Sequence, residues 1–269
     1  MIEGAHPHFS DEQRLAFGRV AELYDRARPS YPATTIDALV QHCGLSPGSR
    51  VLEVGAGTGK ATELLAARGL VVTAIEPSAD MAAVARVKLA RWPEVRIAES
   101  TFEDWESDER FHAVVSVQAW HWVDPGVRYG LAHRALAPGA TLAALWAFPN
   151  WDRCPERDAL SRAYRSAPVT LRPDFPMHPD SEPTRLAGDW AAELAAAGGF
   201  EPAEVHRFPW SVRYTATAYT DLLQTHQDHI LLSECDRAAL MSAIEGAIAS
   251  VGGRLELPLT TYLCLARRR

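Results

Sequence analysis

The feature that most limits what this chain can fold into is the run Val51-Leu52-Glu53-Val54-Gly55-Ala56-Gly57-Thr58-Gly59-Lys60. There an apolar stretch feeds a glycine-rich turn that opens directly into a helical stretch, Lys60 to Arg68. Val51, Leu52 and Val54 read as a buried parallel strand, the glycines allow close backbone approach, and the helix start offers unpaired N–H groups. A strand, a glycine turn and a helix in this order are built to hold a nucleotide-like cofactor.

Spacing separates the cofactor classes. A phosphate-binding P-loop needs four residues between its first glycine and a Gly-Lys-Ser/Thr. Here only Ala56, Gly57 and Thr58 lie between Gly55 and Gly59, and Ala61 stands where the hydroxyl belongs. The dinucleotide fingerprint wants a third glycine three residues after the second, and that position is Lys60. What remains is Glu-x-Gly-x-Gly-x-Gly. The Glu53 carboxylate before the turn repels a phosphate and suits an ammonium. A second apolar strand, Leu70 to Ile75, ends in Glu76, at the distance where a carboxylate accepts both ribose hydroxyls. Pro77 breaks that strand, Ser78 suits a helix cap, and Met81 falls where a thioether can lie against a purine.

With these residues in place, the chain resembles the class I S-adenosylmethionine-dependent methyltransferases. The resemblance runs through the glycine turn, then Ile75-Glu76-Pro77-Ser78-Ala79-Asp80-Met81, Phe102-Glu103-Asp104-Trp105 and Val117-Gln118-Ala119-Trp120-His121-Trp122. The last two stretches look most like the small-molecule branch that includes the trans-aconitate methyltransferase-like proteins. The resemblance implies that Glu53, Gly55, Ala56, Gly57, Thr58 and Gly59 face the methionine moiety, with Glu76, Pro77 and Met81 toward the ribose and adenine. It further implies that Thr101, Phe102 and Glu103 border the adenine and that Gln118 and Ala119 lie beside the sulfonium. The helical stretch Phe17 to Arg26, running into Ala27-Arg28-Pro29-Ser30-Tyr31-Pro32, would be a lid with Tyr24, Arg28 and Tyr31 facing inward.

Strands and helices alternate through the first half, which predicts a Rossmann-like doubly wound α/β sheet, mostly parallel with an antiparallel last strand and helices on both faces. The expected strands are Arg50 to Val54, Val71 to Ile75, Val95 to Ala98, Ala113 to Val117 and Thr141 to Trp146. Helices are expected over Ser78 to Arg91 and about Pro125 to Leu136, the second stopped by Pro138-Gly139. From Phe148 to Pro183 prolines interrupt the alternation, which reads as an insertion with one helix, Glu156 to Arg165. Later elements are helices over Leu186 to Ala197, Ala216 to Leu232 and Asp236 to Val251, and strands over Val205 to Tyr214 and Leu257 to Ala266. The whole reads as one methyltransferase domain: a helical lid (1–47), a cofactor half (48–147), an insertion or cap (148–200) and a C-terminal completion of the sheet (201–269).

With 269 residues, 47% of them hydrophobic, the chain can bury a full core. A net charge of -7 weighs against a nucleic-acid partner. Met1 to Asp11 lacks the apolar core of a signal peptide, and no stretch approaches membrane-spanning length, so a cytoplasmic protein with no membrane partner is expected, as monomer or homodimer. Cys43, Cys154, Cys235 and Cys264 show no paired spacing and read as buried free thiols, and no metal site is expected.

The implied cofactor, S-adenosyl-L-methionine, leaves S-adenosyl-L-homocysteine as product and needs only alignment, exclusion of water and, for a weakly acidic acceptor, removal of a proton. His121, after the fourth strand, is the candidate base, with Trp120 and Trp122 as pocket walls. Tyr31, Trp146, His226 and His229 complete the candidate substrate residues, and Trp151 adds to an aromatic set suited to a planar acceptor. Arg28 and the histidines suit an acidic one. Transfer to oxygen of a small molecule is the expectation, with nitrogen or carbon transfer, a non-catalytic binding protein and a nicotinamide oxidoreductase as alternatives.

Overall fold

The computed structural model describes residues 16–169, 171, 175–181 and 190–269. Seven strands form one sheet in the order β3-β2-β1-β4-β5-β7-β6. They are β1 (Arg50–Val54), β2 (Val71–Ile75), β3 (Val95–Ala98), β4 (Phe111–Val117), β5 (Leu136–Pro149), β6 (Glu204–Thr215) and β7 (Arg254–Arg267). The first five pair parallel, while β7 lies between β5 and β6 and is antiparallel to both. The order reverses at β1, whose neighbours are β2 and β4, and a sheet of this kind opens a crevice at the carboxyl ends of those strands.

Side chains alternate across the sheet into two apolar clusters. Leu52, Val54, Ile75 and Val114 point to one face with Trp120, Trp146 and Trp190; Val51, Val72, Ala113 and Val115 point to the other with Ile36, Leu39 and Leu65. Burial on both faces explains why β1, β2 and β4 are largely apolar runs, whereas β6 and β7 alternate. The covering helices are α2 (Ala33–His42), α3 (Lys60–Ala66), α4 (Ala79–Leu89), α5 (Arg128–Ala135) and α7 (Trp190–Ala197), preceded by α1 (Ala21–Ala27). A third apolar cluster joins α6 (Arg157–Ser166), α8 (Ala216–Leu223) and α10 (Glu234–Ser250) to β7 through Leu160, Tyr164, Tyr219, Leu240, Ile244 and Leu255.

Several boundaries differ from expectation for identifiable reasons. The helix expected over Ala216 to Leu232 stops at Leu223, and a separate short helix, α9 (Gln227–Ile230), follows. Thr225 Oγ1 bonds back to the Leu222 carbonyl, and the Thr225 carbonyl, which a continuing helix would use, accepts instead from Arg28. A contact 197 positions away in the chain therefore breaks the helix, and no local signal announces it. The helix expected from Pro125 starts only at Arg128, because Trp120–Trp122 form a 3-10 turn and Asp124 takes the Gly126 N–H on its side chain. Of the stretch expected as a helix over Leu186 to Ala197, residues 186–189 lie outside the described residues. All four cysteines are free, but Cys235 is exposed and Cys43 half-buried, so only Cys154 and Cys264 are the buried thiols expected. No helix among the described residues is long and apolar enough to cross a membrane.

Candidate active site

A cavity of about 600 Å³ opens at the carboxyl ends of β1, β2 and β4. Its floor is the glycine turn. Gly55, Gly57 and Gly59 all take positive φ, at 74°, 58° and 79°. A Cβ on Gly55 would sit 2.3 Å from the Ala119 Cβ, so the missing side chain is what lets the turn lie against the end of β4. At Gly57 the nearest atom to such a Cβ is Met81 Cε, 3.6 Å away, which leaves the backbone open to the cavity. Gly59 does not line the cavity; it caps α3, and a Cβ there would meet Leu89 Cδ1 at 2.7 Å.

Two carboxylates hold the floor. Glu53, on β1, is 1% exposed, and its Oε2 is buried with no hydrogen-bond partner among the described residues. Burial, opposed by the Thr62 hydroxyl and helped by the charge of Glu76, pushes its carboxyl up to about 7. A buried acceptor without a donor is costly unless a ligand supplies one. Glu76 is already tied down: Gly57 N–H donates to Oε2 at 2.8 Å and Ser78 N–H to Oε1 at 3.0 Å. Burial raises its carboxyl while these two bonds pull the other way. The same Ser78 caps α4 by accepting from Met81 N, so the strand end, the turn and the helix start are one hydrogen-bonded unit.

Gln118 is the single non-glycine residue at positive φ among the described residues, at 59°. Its backbone N–H is held by the Leu145 carbonyl at 2.8 Å and its side-chain amide by the Ala147 carbonyl at 3.0 Å. Such strain persists where the surroundings fix it, and it commonly marks a functional turn. Beyond it, His121 accepts on Nδ1 from the Trp146 indole N–H at 3.2 Å. That bond puts the proton of the neutral imidazole on Nε2, and burial, with the Arg128 charge, pulls its pKa down to about 4. His121 is thereby a neutral hydrogen-bond donor at Nε2 rather than the proton acceptor expected of a base.

The N-terminal segment covers the cavity. Asp25 on α1 accepts from Thr58 Oγ1 at 2.7 Å and pairs with Lys88, with Lys60 Nζ at 4.0 Å. Burial works to raise the Asp25 carboxyl, but these partners outweigh it and hold it below its ordinary value. Arg28 donates to Thr225 Oγ1 at 2.8 Å and to its carbonyl at 3.0 Å, and lies 4.9 Å over the Tyr24 ring. Phe17 packs edge-on against both Tyr24 and Trp122.

Of the residues singled out in the sequence, the cavity brings together Tyr24, Arg28, Tyr31, Glu53, Gly55, Ala56, Gly57, Thr58, Glu76, Pro77, Met81, Thr101, Phe102, Glu103, Gln118, Ala119, His121, Trp122 and His226. Three candidate substrate residues fall outside it. Trp120 is 1% exposed and packs on Tyr129 and Trp190 in the core. Trp146 is also a core residue and reaches the site only through His121. His229 is fully buried between Asp228 and Tyr164. Trp151 likewise packs in the third cluster, its indole N–H on the Pro176 carbonyl. Aromatic residues are the largest side chains a core can absorb, and a Trp-His-Trp run says nothing about which ring turns inward. Cavity residues that sequence reasoning passed over include Phe17, Trp210 and Tyr214. Trp210 and Tyr214 carried a usable signal, since they share one face of a strand at even spacing with Val212. Among the described residues one set of three possible metal ligands converges, His42, Glu204 and His206, at the surface and away from the cavity.

The chain matches the methyltransferase-domain family over residues 51–139, the stretch from β1 to the start of β5. An uncharacterised methyltransferase of Mycobacterium tuberculosis is 40% identical over 136 residues, covering 50% of this chain and 53% of the relative. A demethylmenaquinone methyltransferase of Tropheryma whipplei is 32% identical over 121 residues, covering 44% of this chain and 49% of that one. The matches thus span about half the length of these relatives. A phosphoethanolamine N-methyltransferase of Haemonchus contortus, solved with S-adenosyl-L-methionine, shares the fold at a TM-score of 0.56 and 17% identity, covering 100% of this chain and 61% of that chain. These matches make the stretch from β1 to the start of β5 similar to methyltransferase domains, in a chain whose strand order and fold are those of a methyltransferase solved with S-adenosyl-L-methionine.

Proposed function

We propose that the protein transfers a methyl group from S-adenosyl-L-methionine to oxygen on a small-molecule acceptor. The observation that carries this reading is the buried, partnerless Oε2 of Glu53 beside an open glycine turn. An ammonium such as that of the methionine moiety supplies the missing donor and the missing charge together. Glu76 keeps lone pairs beyond its two backbone bonds and suits a pair of ribose hydroxyls. Met81 and Phe102, each 3% exposed, offer apolar surface for the adenine, next to Thr101 and Glu103. Gln118 and Ala119 border the floor where the methionine and acceptor sides meet. When bound, the cofactor supplies an electrophilic methyl on a sulfonium.

The remaining work belongs to the chain itself. Tyr24, Arg28, Tyr31 and Phe17 close the cavity above the floor and exclude water, which aligns the acceptor in a dry site. His121 presents a neutral imidazole at the acceptor side, so the acceptor oxygen attacks with its own lone pair and meets no charge there. A phenol or carboxylic acid ionises without a strong base, which suits a site whose histidine is held neutral. The acceptors named for the two relatives, demethylmenaquinone and phosphoethanolamine, are small molecules, in line with this reading. Calorimetric titration with S-adenosyl-L-homocysteine, run beside NADH, tests it. Saturable one-site binding of the first alone is expected, and binding of NADH alone would overturn it.

A further inference from the structure

The acceptor side of the cavity holds a charge that the cofactor contacts leave unused. Asp228, on α9, lines the cavity and is 8% exposed. Its Oδ1 lies 2.8 Å from His229 Nδ1, and His229 Nε2 lies 2.9 Å from the Tyr164 hydroxyl. Donor counting assigns the protons. The Tyr164 O–H finds no other acceptor among the described residues, so it donates to His229 Nε2. His229 then carries its single proton on Nδ1 and donates it to Asp228. The imidazole is neutral, and burial keeps the Tyr164 phenol from ionising. The trio therefore bears a net negative charge, placed on Asp228.

Asp228 Oδ2 is buried and accepts no hydrogen bond among the described residues, and no Lys or Arg pairs with Asp228 there. His226, its neighbour in the cavity, adds no positive charge: burial, then the Arg28 charge, hold its imidazole well below its ordinary value. Arg28 itself is engaged by Thr225. The cavity that Asp228 lines has apolar and aromatic walls as well, with Met177, Trp210, Tyr214, Leu222 and Leu257. A buried anion with an idle oxygen is costly unless a cation or strong donor meets it. Aromatic walls around a carboxylate favour a protonated nitrogen over a neutral or anionic group.

We propose that Asp228, held by His229 and Tyr164, anchors a protonated amine of the methyl acceptor, which makes the acceptor an amine-bearing apolar or aromatic small molecule. This rests on the reading of the cavity as a methyltransferase site. The amine is an anchor and not the methylated atom, because a protonated nitrogen has no lone pair with which to attack.

Two measurements test the anchor. Nitrogen NMR of His229 in the whole protein near neutral pH should show a neutral ring protonated on Nδ1; an imidazolium would make the pair neutral and overturn the proposal. Calorimetry on the S-adenosyl-L-homocysteine complex should then rank phenethylamine above hydrocinnamate and hydrocinnamamide, probes of like size and different charge. Asp228→Asn should lower phenethylamine affinity by at least about tenfold while leaving S-adenosyl-L-homocysteine affinity unchanged, which shows that the variant folds. Equal binding of the three probes, no binding of the amine, or an undiminished preference in Asp228→Asn overturns the anchor. Failure of S-adenosyl-L-homocysteine to bind the wild-type protein is a different failure, that of the cofactor reading, and the charge on His229 is still decided by the NMR.

Discussion

Replacing Glu53 by Gln should stabilise the free protein and weaken the cofactor complex, and the opposite signs make this the most discriminating perturbation. In the fold the Glu53 carboxyl is pushed up to about 7 from 4.5 by burial and by Glu76. The folded state therefore holds the proton more tightly than the unfolded chain does. The resulting contribution to stability is fully present below about pH 4.5 and is lost as the pH rises through about 7. At about pH 8 the ionised carboxylate, its Oε2 without a partner, costs the fold roughly 3 kcal/mol, from about 1.4 kcal/mol per unit of displacement. A glutamine of the same shape carries no such charge. Chemical denaturation should show Glu53→Gln more stable than wild type by an amount of that order at about pH 8, with the gap closing toward about pH 4.5. Calorimetry should show S-adenosyl-L-homocysteine bound about 10- to 100-fold more weakly, because the ammonium loses its counter-charge. Wild-type binding at about pH 6.5 should release about three-quarters of a proton as the ligand drives Glu53 to ionise, and the variant should release none from this group. A variant less stable than wild type at about pH 8 would refute the argument that this carboxylate is buried without compensation.

Gly55→Ala should destabilise by roughly 2–4 kcal/mol in denaturant melts, since it combines a positive φ of 74° with a Cβ placed 2.3 Å from Ala119; a loss below about 0.5 kcal/mol would show that the turn relaxes freely. Glu76→Ala should weaken S-adenosyl-L-homocysteine by about tenfold or more and also lower stability by about 1–3 kcal/mol, because Gly57 and Ser78 lose their acceptor; unchanged affinity counts against the ribose role. Trp146→Phe should redistribute the His121 proton between its two nitrogens, read by nitrogen NMR, and a fixed Nε2 tautomer in that variant would show that something other than the indole sets it. With its pKa drawn down to about 4, His121 should add no inflection to the pH profile of methyl transfer between about pH 5 and 8.

The cofactor half was the legible part of this fold, for a physical reason. β1 and β2 are buried on both faces, so their sequences are largely apolar runs bounded by turn residues, and both lead into helices whose starts are marked by Gly59 and Ser78. Glu53 and Glu76 stood out because a carboxylate at the end of such a run has no packing reason to be there. The acceptor half was less legible because its determinants act at long range. The break after Leu223 depends on Arg28, the inward turn of Asp228 depends on that break, and the tautomer of His121 depends on a tryptophan 25 positions away. Trp120 and Trp146 were taken for pocket walls since size and chemistry alone do not distinguish a ring that lines a cavity from one that fills a core.

The two fastenings of α1 differ in kind, and salt should tell them apart. In its last turn Asp25 is held chiefly by the lysine charges of Lys88 and Lys60, partly open to solvent; Arg28, which caps the same end, is held by a hydroxyl and a carbonyl that carry no net charge. Rising ionic strength screens the first and hardly touches the second. The segment then becomes a flap hinged at Arg28, and the rate at which the site admits its ligands becomes a function of the ionic medium.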